Sequence, residues 1–441
     1  MTTRALYQIF LKHPRICTDT RQLQPGDFFV ALRGERFDGN QYAARALELG
    51  AARAMVDNPA VVTSEAYILT DDCLTTLQEL ANWHRRQFRI PVIAITGSNG
   101  KTTTKELVRD VLARTYKVHA TSGNYNNHIG VPLTLLAMPP ETDIAVIEMG
   151  ANAQGEIHQL CTIAEPNFGI ITNFGRAHLE GFGGVEGIRI GKSELYRYLH
   201  GHGGTAFVNK DEILLETYLP SGTAKVTYAT AEKSYSQKKD YGVERLMDGE
   251  KIGFRFINAQ GEISEGITEL FGRFHFGNVA TAIAVGLHFG VSSSAITDAL
   301  ESYRPEMMRS QIIRAGRVHI LLDAYNANPD SMEGALASFP SFEGPSPRIA
   351  ILGDMLELGD DSRTEHANVV SLSDQAGLDY LLLVGPQFEE ADLMNKGLHF
   401  ASVDEVAEWW KKAGIQEATI LIKGSRRWKL ERFIEKAALL P

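Results

Sequence analysis

The run Val92-Ile-Ala-Ile-Thr-Gly-Ser-Asn-Gly-Lys-Thr-Thr-Thr104 gathers the residue types that hold a polyphosphate. Gly97 and Gly100 let the backbone turn so that successive N–H groups face one point, and a following helix adds the positive end of its dipole. Lys101 brings a charge for β- and γ-phosphates, and Thr102 a hydroxyl for Mg²⁺. The spacing is G-x-x-G-K-T, two residues shorter than the common G-x-x-x-x-G-K-[ST]. The run is therefore either a variant phosphate loop or a glycine-rich turn with a solvated lysine. The apolar VIAIT before it and the helical pattern after it favour the first.

Other positions carry chemistry with a plainer reading beside it. Glu148 ends the apolar run IAVIE. Carboxyl ends of strands in an open α/β sheet face the ligand crevice, so Glu148 suits Mg²⁺; otherwise it is a capping or surface glutamate. His178 follows a further strand in ITNFGRAHLEGFG, where a lone histidine is often structural or solvated. Lys192, in IGKSELYRYL, is by itself an ordinary surface lysine on a helix. Asn124, Asn126 and Asn127 cluster at a Gly-flanked turn, which turn chemistry alone would explain. Asp323 ends HILLDA and either accepts from a ribose hydroxyl or caps the turn. The run Tyr325–Met332, YNANPDSM, suits a loop held in one conformation.

The elements that must position these residues are legible from periodicity. PVIAITG, DIAVIEMG and FGIITNFG are short apolar runs alternating with helical patterns, which implies a doubly wound parallel sheet. Residues 220–270 are more polar and strand-like, a β-rich flank, and FGNVATAIAVGLHFG is a packed helix. Pro305 and a charge cluster make Tyr303–Ser310 a hinge. RIAILGDM, LDYLLLVG and ATILIKG then give a second, smaller α/β domain with roughly parallel strands. At the other end, FFVAL is a strand after the turn Pro25-Gly26-Asp27, a helix follows Asp38-Gly39, and an amphipathic helix over residues 72–88 closes the unit. The expected boundaries are 1–88, 89–306 and 307–441.

Composition sets limits on this picture. The 441 residues suggest two to four domains, and 44% hydrophobic with 22% charged residues excludes a disordered chain. The 40 glycines have no three-residue period, which excludes collagen. No apolar run approaches the roughly 18–20 residues of a membrane span. MTTRALYQIFLKHPR lacks the core and cleavage site of a signal peptide. Cys17, Cys73 and Cys161 are far apart and not in metal spacing, so a reduced, cytoplasmic protein is expected. A net charge of −10 argues against nucleic-acid or anionic-membrane partners, but not against small anionic substrates.

These residues together resemble the ATP-dependent Mur ligases of peptidoglycan synthesis. The matching runs are TDTRQLQPGDFFVALRGERFDGN, ITGSNGKTTTKE, GNYNNHIGVPLTLL, IEMGANAQGEI, NFGRAHLEGFGG, GKSE, FGNVATAIA, LDAYNANPDSM, ILGDMLELG and KGSRRWKLE, in family order over nearly the whole chain. The resemblance implies three domains: a small mixed N-terminal one for a UDP-sugar, a central ATPase with a doubly wound sheet, and a Rossmann-like C-terminal α/β domain. It implies joining D-alanyl-D-alanine to the terminal carboxylate of UDP-N-acetylmuramoyl-tripeptide through an acyl phosphate, by a cytoplasmic monomer using ATP and Mg²⁺. By the same resemblance Gly97, Asn99, Gly100, Lys101, Thr102 and Thr103 hold the triphosphate, Asn278 the adenine and Asp323 the ribose. Thr102 and Glu148 hold Mg²⁺, His178 a second Mg²⁺, and Lys192 is carried as a carbamate. Lys101, His178 and Lys192 are the implied catalytic set. Thr20, Arg21 and Asn40 match the UDP region, Asn126 and Asn127 the muramoyl segment, and Tyr325, Asn326 and Asn328 the closure over ATP and dipeptide. The match departs at RWKLE, where Met is expected before Glu, and at the leucine before Asp323.

Two rivals stay open at this point. A sister ligase or a folylpolyglutamate synthetase shares the loop and carboxylate, although the folate enzymes lack the N-terminal domain. A non-catalytic nucleotide switch would use the loop but need neither Glu148, His178 nor Lys192 beyond binding.

Overall fold

The computed structural model describes residues 1–229, 240–247, 249–392 and 396–439. It contains three main sheets in succession along the chain. The first has four parallel strands, Ile16–Cys17, Phe28–Val30, Arg53–Val56 and Tyr67–Leu69. Phe28, Phe29 and Val30 are buried on both faces, as a continuous apolar run requires. The helix Cys73–Arg85 closes this unit and is capped by Asp72, which accepts from the Thr75 N–H at 2.6 Å. It also fastens the unit to the next: Arg85 Nε donates to the Ala164 carbonyl (2.9 Å) and Asn82 Nδ2 to the Ile163 carbonyl (3.0 Å).

The central sheet has nine strands. Val92–Thr96 lies between Ile144–Glu148 on one side and Phe168–Ile171 on the other, all parallel. The chain order reverses on this strand, so the crevice beyond its carboxyl end is the topological switch point. The β-rich flank exists: Asp240–Met247, Ile252–Ile257 and Ile263–Thr268 form an antiparallel meander at the sheet edge. Residues 230–239 and 248 of that flank lie outside the described residues. The helix Phe276–His288 packs on Lys101–Leu112 over one face.

The third sheet has six strands, of which Val318–Asp323, Ala418–Lys423, Arg348–Gly353, Tyr380–Val384 and Leu398–Phe400 are parallel. The expectation of roughly parallel strands is corrected at one edge, where Gln311–Ala315 pairs antiparallel with Val318–Asp323. That edge strand is half-buried except at the exposed Arg314, so it lacks the continuous apolar run that marks the interior strands. One buried apolar cluster runs from Leu6 and Phe28 through Ile147 and Phe271 to Leu321 and Leu421, joining all three units. Phe271 and Phe342 meet edge-on across the second boundary, with centroids 5.4 Å apart.

Candidate active site

A cavity of about 730 Å³ opens at the switch point, with the phosphate-loop run on one wall and the C-terminal domain on the other. Asn99, Gly100, Lys101, Thr102, Thr103, Asn126, Asn127, Glu148, His178, Asn278, Asp323, Tyr325, Asn326 and Asn328 line it. Fourteen positions scattered over 230 residues of sequence thus converge on one space. Gly97 forms the loop's base, Lys192 is fully buried and does not line the cavity, and Thr20, Arg21 and Asn40 belong to the N-terminal unit rather than to this cavity.

The loop is built to present backbone N–H groups. Gly97 has φ 139°, and a Cβ there would stand 1.9 Å from Thr172 Oγ1, so only glycine fits. Gly100, at φ 79°, starts the helix Lys101–Leu112 without a side-chain cap, which leaves the first-turn N–H groups free for an anion. The next strand end braces the loop. Asn173 Oδ1 accepts from the Asn99 N–H (3.0 Å), Thr172 Oγ1 donates to the Asn99 carbonyl (2.6 Å), and Ser98 Oγ donates to the Gly175 carbonyl (2.6 Å). Lys101 Nζ donates to the Gly97 and Ser98 carbonyls at 2.8 and 3.1 Å. Burial lowers the pKa of Lys101, partly offset by the Glu148 carboxylate.

Glu148 is only 1% exposed, which overturns the surface reading. Its Oε1 accepts from Asn126 Nδ2 (2.7 Å) and Thr102 Oγ1 (3.2 Å). Its Oε2 is buried with no hydrogen bond and faces Lys105 Nζ at 3.9 Å. An orphaned carboxylate oxygen beside a threonine hydroxyl is a donor set that Mg²⁺ accepts, with phosphate and water supplying the remainder. No cluster of three or more His, Cys, Asp or Glu suited to a metal occurs among the described residues.

The reading of Lys192 as a surface lysine is corrected. It ends the helix Val185–Lys192 at 0% exposure, and its Nζ has no hydrogen-bond partner. The ammonium lies 5.0 Å from the Phe182 ring centroid. Burial first, and then the Lys101 charge, push its pKa well below the ordinary lysine value. Both causes favour a neutral amine. His178, with φ 58°, is paired through Nδ1 with Glu357 of the C-terminal domain.

Asn126 orients Glu148, whereas Asn127 Oδ1 accepts from the Ile129 and Gly130 N–H groups (3.1 and 2.8 Å) and so turns the chain into a helix while lining the cavity. Asn40 is used up within its own domain. Its Nδ2 donates to Asp38 and Asp57 (2.7 and 2.8 Å), and its Oδ1 accepts from the Asp57 and Asn58 N–H groups (3.1 and 3.2 Å). That fills the capacity of the amide. Arg21 is exposed and forks onto Asp19, whose pKa its hydrogen bonds lower. Thr20 is half-buried beside it.

Several site residues had no separate signal in the sequence. Arg309 lines the cavity with its guanidinium 3.8 Å from the Tyr325 ring centroid, and Arg426 lies 5.3 Å from the same centroid. Lys423 pairs with Asp323, which also accepts from the Ser310 N–H at 3.1 Å. Burial raises the Asp323 pKa, but the Lys423 charge and hydrogen bond more than reverse this, leaving it below the usual value. Asn328 caps the helix Pro329–Ser338 and donates to Asn99 Oδ1 at 2.8 Å, so the C-terminal domain touches the phosphate loop itself. Arg176 reaches Asp330 (2.6 Å), Glu333 (3.1 Å) and Glu365 (3.1 Å) across the same boundary. Its run was visible, but its partners lie more than 150 residues away.

A hydrogen-bonded chain runs from the phosphate-loop helix to Ser310. Thr104 Oγ1 donates to Asn278 Oδ1 (3.1 Å), Asn278 Nδ2 to His275 Nδ1 (3.1 Å), and His275 Nε2 to Ser310 Oγ (3.0 Å). This chain requires a neutral imidazole, because a proton on Nδ1 would oppose the Asn278 donor. Burial accordingly lowers the His275 pKa to about 4. The unfolded chain takes up this proton near pH 6.5, so its contribution to stability is full above pH 6.5 and is lost as pH falls toward 4, to about 3 kcal/mol. His275→Gln should show a shallower fall of apparent melting temperature between pH 6.5 and 4 than the parent. An unchanged slope would remove His275 as a source of acid lability.

Comparison with known proteins places this geometry. Residues 15–91 match the family described as Mur ligase family, catalytic domain; residues 95–286 match the Mur ligase middle domain; residues 308–426 match the Mur ligase, glutamate ligase domain. The UDP-N-acetylmuramoyl-tripeptide–D-alanyl-D-alanine ligase of Bacillus subtilis is 35% identical over 432 residues, covering 95% of this chain and 92% of that protein. MurF from Acinetobacter baumannii superposes with a TM-score of 0.87 at 30% identity, covering 99% of this chain and 98% of the other. MurF from Thermotoga maritima in complex with ADP gives 0.84 at 26% identity, covering 97% of each chain. With the three family domains in order and a relative matched nearly end to end, the chain belongs to the Mur ligase family.

Proposed function

We infer that this chain is the ATP-dependent ligase that joins D-alanyl-D-alanine to the terminal carboxylate of UDP-N-acetylmuramoyl-tripeptide in peptidoglycan precursor synthesis. The observation that carries this reading is the single cavity that holds the phosphate loop and the C-terminal Tyr325–Asn328 segment together, in a chain matched end to end by a relative of that name. The test is release of phosphate from ATP. It should require the muramoyl tripeptide and D-alanyl-D-alanine together, and release with a glutamate or folate acceptor instead would overturn the assignment.

The tripeptide carboxylate oxygen bonds to the γ-phosphorus and ADP departs, giving an acyl phosphate. The dipeptide amine then bonds to the acyl carbon, loses a proton, and phosphate leaves with the C–O bond broken. The first step brings two anions together, so positive charge has to be local despite the net −10. Lys101 and Arg309 supply it from the protein, and the free N–H groups of the Lys101 helix add to it. Thr102 and Glu148 would hold Mg²⁺, which when bound shields the phosphoryl oxygens. His178 would hold a second ion. Lys192, buried and without a partner, would carry a carbamate facing the ions. We assign Asn278 to the adenine side, Asp323 to the ribose, Thr20 and Arg21 to the UDP end, and Asn126 and Asn127 to the muramoyl segment. Tyr325, Asn326 and Asn328 close over ATP and dipeptide, and Asn40 serves by holding its loop.

We place the domain boundaries at 1–88, 89–306 and 307–441, the last two including residues outside the described part. We propose that the chain works as a monomer. Three free buried cysteines support a reduced, cytoplasmic setting. No helix among the described residues is long and apolar enough to cross a membrane.

The hinge is proposed at Tyr303–Ser310, where Met307, Met308 and Ser310 have φ of 56°, 57° and 51°. Arg176 holds the docked arrangement through three carboxylates. Arg176→Ala should raise KM for the dipeptide several-fold. It should also enlarge the radius of gyration in small-angle scattering with ATP analogue and muramoyl substrate, relative to the parent. Equal compaction in both proteins would remove Arg176 from closure.

A further inference from the structure

His178 and Glu357 both adopt left-handed backbone conformations, at φ 58° and 61°, and they contact each other across the boundary between central and C-terminal domains. Residues with side chains keep that conformation only where their surroundings impose it, and such positions gather at functional sites. The backbone joins in, because the Glu180 N–H donates to the Glu357 carbonyl at 3.2 Å. His178 lines the cavity with Glu148 and Lys101, while Glu357, outside the cavity wall, reaches the His178 ring from the C-terminal domain. A half-exposed histidine–carboxylate pair adds little stability on its own. Stability therefore does not explain why two backbones are bent to make it.

We propose that Glu357 is a positioning residue for His178. Its carboxylate accepts the Nδ1–H, which fixes the tautomer whose Nε2 carries the lone pair, and it arrives only when the C-terminal domain docks. Ligating histidines are commonly held this way by a carboxylate on the other ring nitrogen. Docking of the C-terminal domain and loading of the His178 position are then linked, each favouring the other. The inference rests on the reading that His178 holds a divalent cation.

The experiment is a Mn²⁺ titration followed by electron paramagnetic resonance, with a non-hydrolysable ATP analogue and UDP-N-acetylmuramoyl-tripeptide present. The parent, Glu357→Ala and Glu357→Gln are compared. All three should keep the ion held by Glu148 and Thr102 with equal affinity, which also reports that each is folded. The further ion should bind about 10- to 100-fold more weakly to Glu357→Ala. Glu357→Gln should lose less, since its amide oxygen still accepts from Nδ1–H. Spectra of ¹⁵N-histidine-labelled protein in the same complex should show one His178 tautomer, protonated on Nδ1, in the parent and a mixture in Glu357→Ala. Equal affinity for the further ion in parent and Glu357→Ala, with an unchanged tautomer, overturns the proposal. A parent that binds a single ion overturns the cation reading of His178 instead. The tautomer comparison then decides the role of Glu357 alone.

Discussion

Lys101→Ala should melt like the parent and lose ligation by about two to three orders of magnitude. The ammonium rests on the Gly97 and Ser98 carbonyls, 2.8 and 3.1 Å away, at the mouth of the phosphate loop. A nucleotide offers it phosphate oxygens in place of those carbonyls. Charge placed where negative charge grows in the transition state acts through differential stabilisation, and alanine removes all of it. The fold should survive because alanine fits the helical backbone and the loop keeps its Asn173, Thr172 and Gly175 braces. A coupled ADP-release assay beside a thermal melt checks both halves. Turnover within a few-fold of the parent would sink the phosphate-loop assignment, and a large loss of melting temperature would show the lysine to be a brace for the loop.

The second large effect is expected at Lys192. Lys192→Ala should lose roughly a thousandfold in turnover, and added acetate should restore part of it by taking the vacated ligand position. The argument is one of charge. A cation at this depth is costly to bury and is repelled by Lys101, and both effects favour the neutral amine that reacts with CO₂. A carbamate reverses the sign and offers two hard oxygens to Mg²⁺. Lys192→Met separates this from packing. It fills the same space without charge, so the ligand-free protein should melt no lower than the parent, and acetate should rescue nothing. Full activity in either variant, or an unmodified lysine in crystals grown with bicarbonate and Mg²⁺, would overturn the carbamate assignment.

The two residues differ in how far the sequence reveals them. Lys101 sits in a run whose glycines, strand and helix all act within a dozen residues, so the strand and helix around it favour a phosphate loop even though its spacing is two residues short of the common one. Lys192 sits in a short helix that reads as surface, and only packing of that helix against Phe182 and the central core shows that the position is buried. Asn40 is the opposite case: it was singled out as a ligand contact, and the fold spends its whole amide on Asp38, Asp57 and Asn58. The β-rich flank was legible at residues 220–270 as a more polar, strand-like stretch. The edge strand Gln311–Ala315 was not, because a half-buried edge carries no continuous apolar run.

The sequence by itself determined the parallel-strand core and the glycine-rich strand-to-helix loop, since each is marked by local backbone demands, while the residues that converge on the cavity were named from the family resemblance. Tertiary structure alone decided which of those residues are free and which are occupied. It set Glu357 against His178, three carboxylates against Arg176, and Lys423 against Asp323, all over separations of 100 residues or more. It also linked Thr104, Asn278, His275 and Ser310 in one hydrogen-bonded chain. The physical reason is that periodicity records how a segment meets its immediate neighbours. Pairing across a domain boundary depends on strand order and docking, which no local spacing encodes.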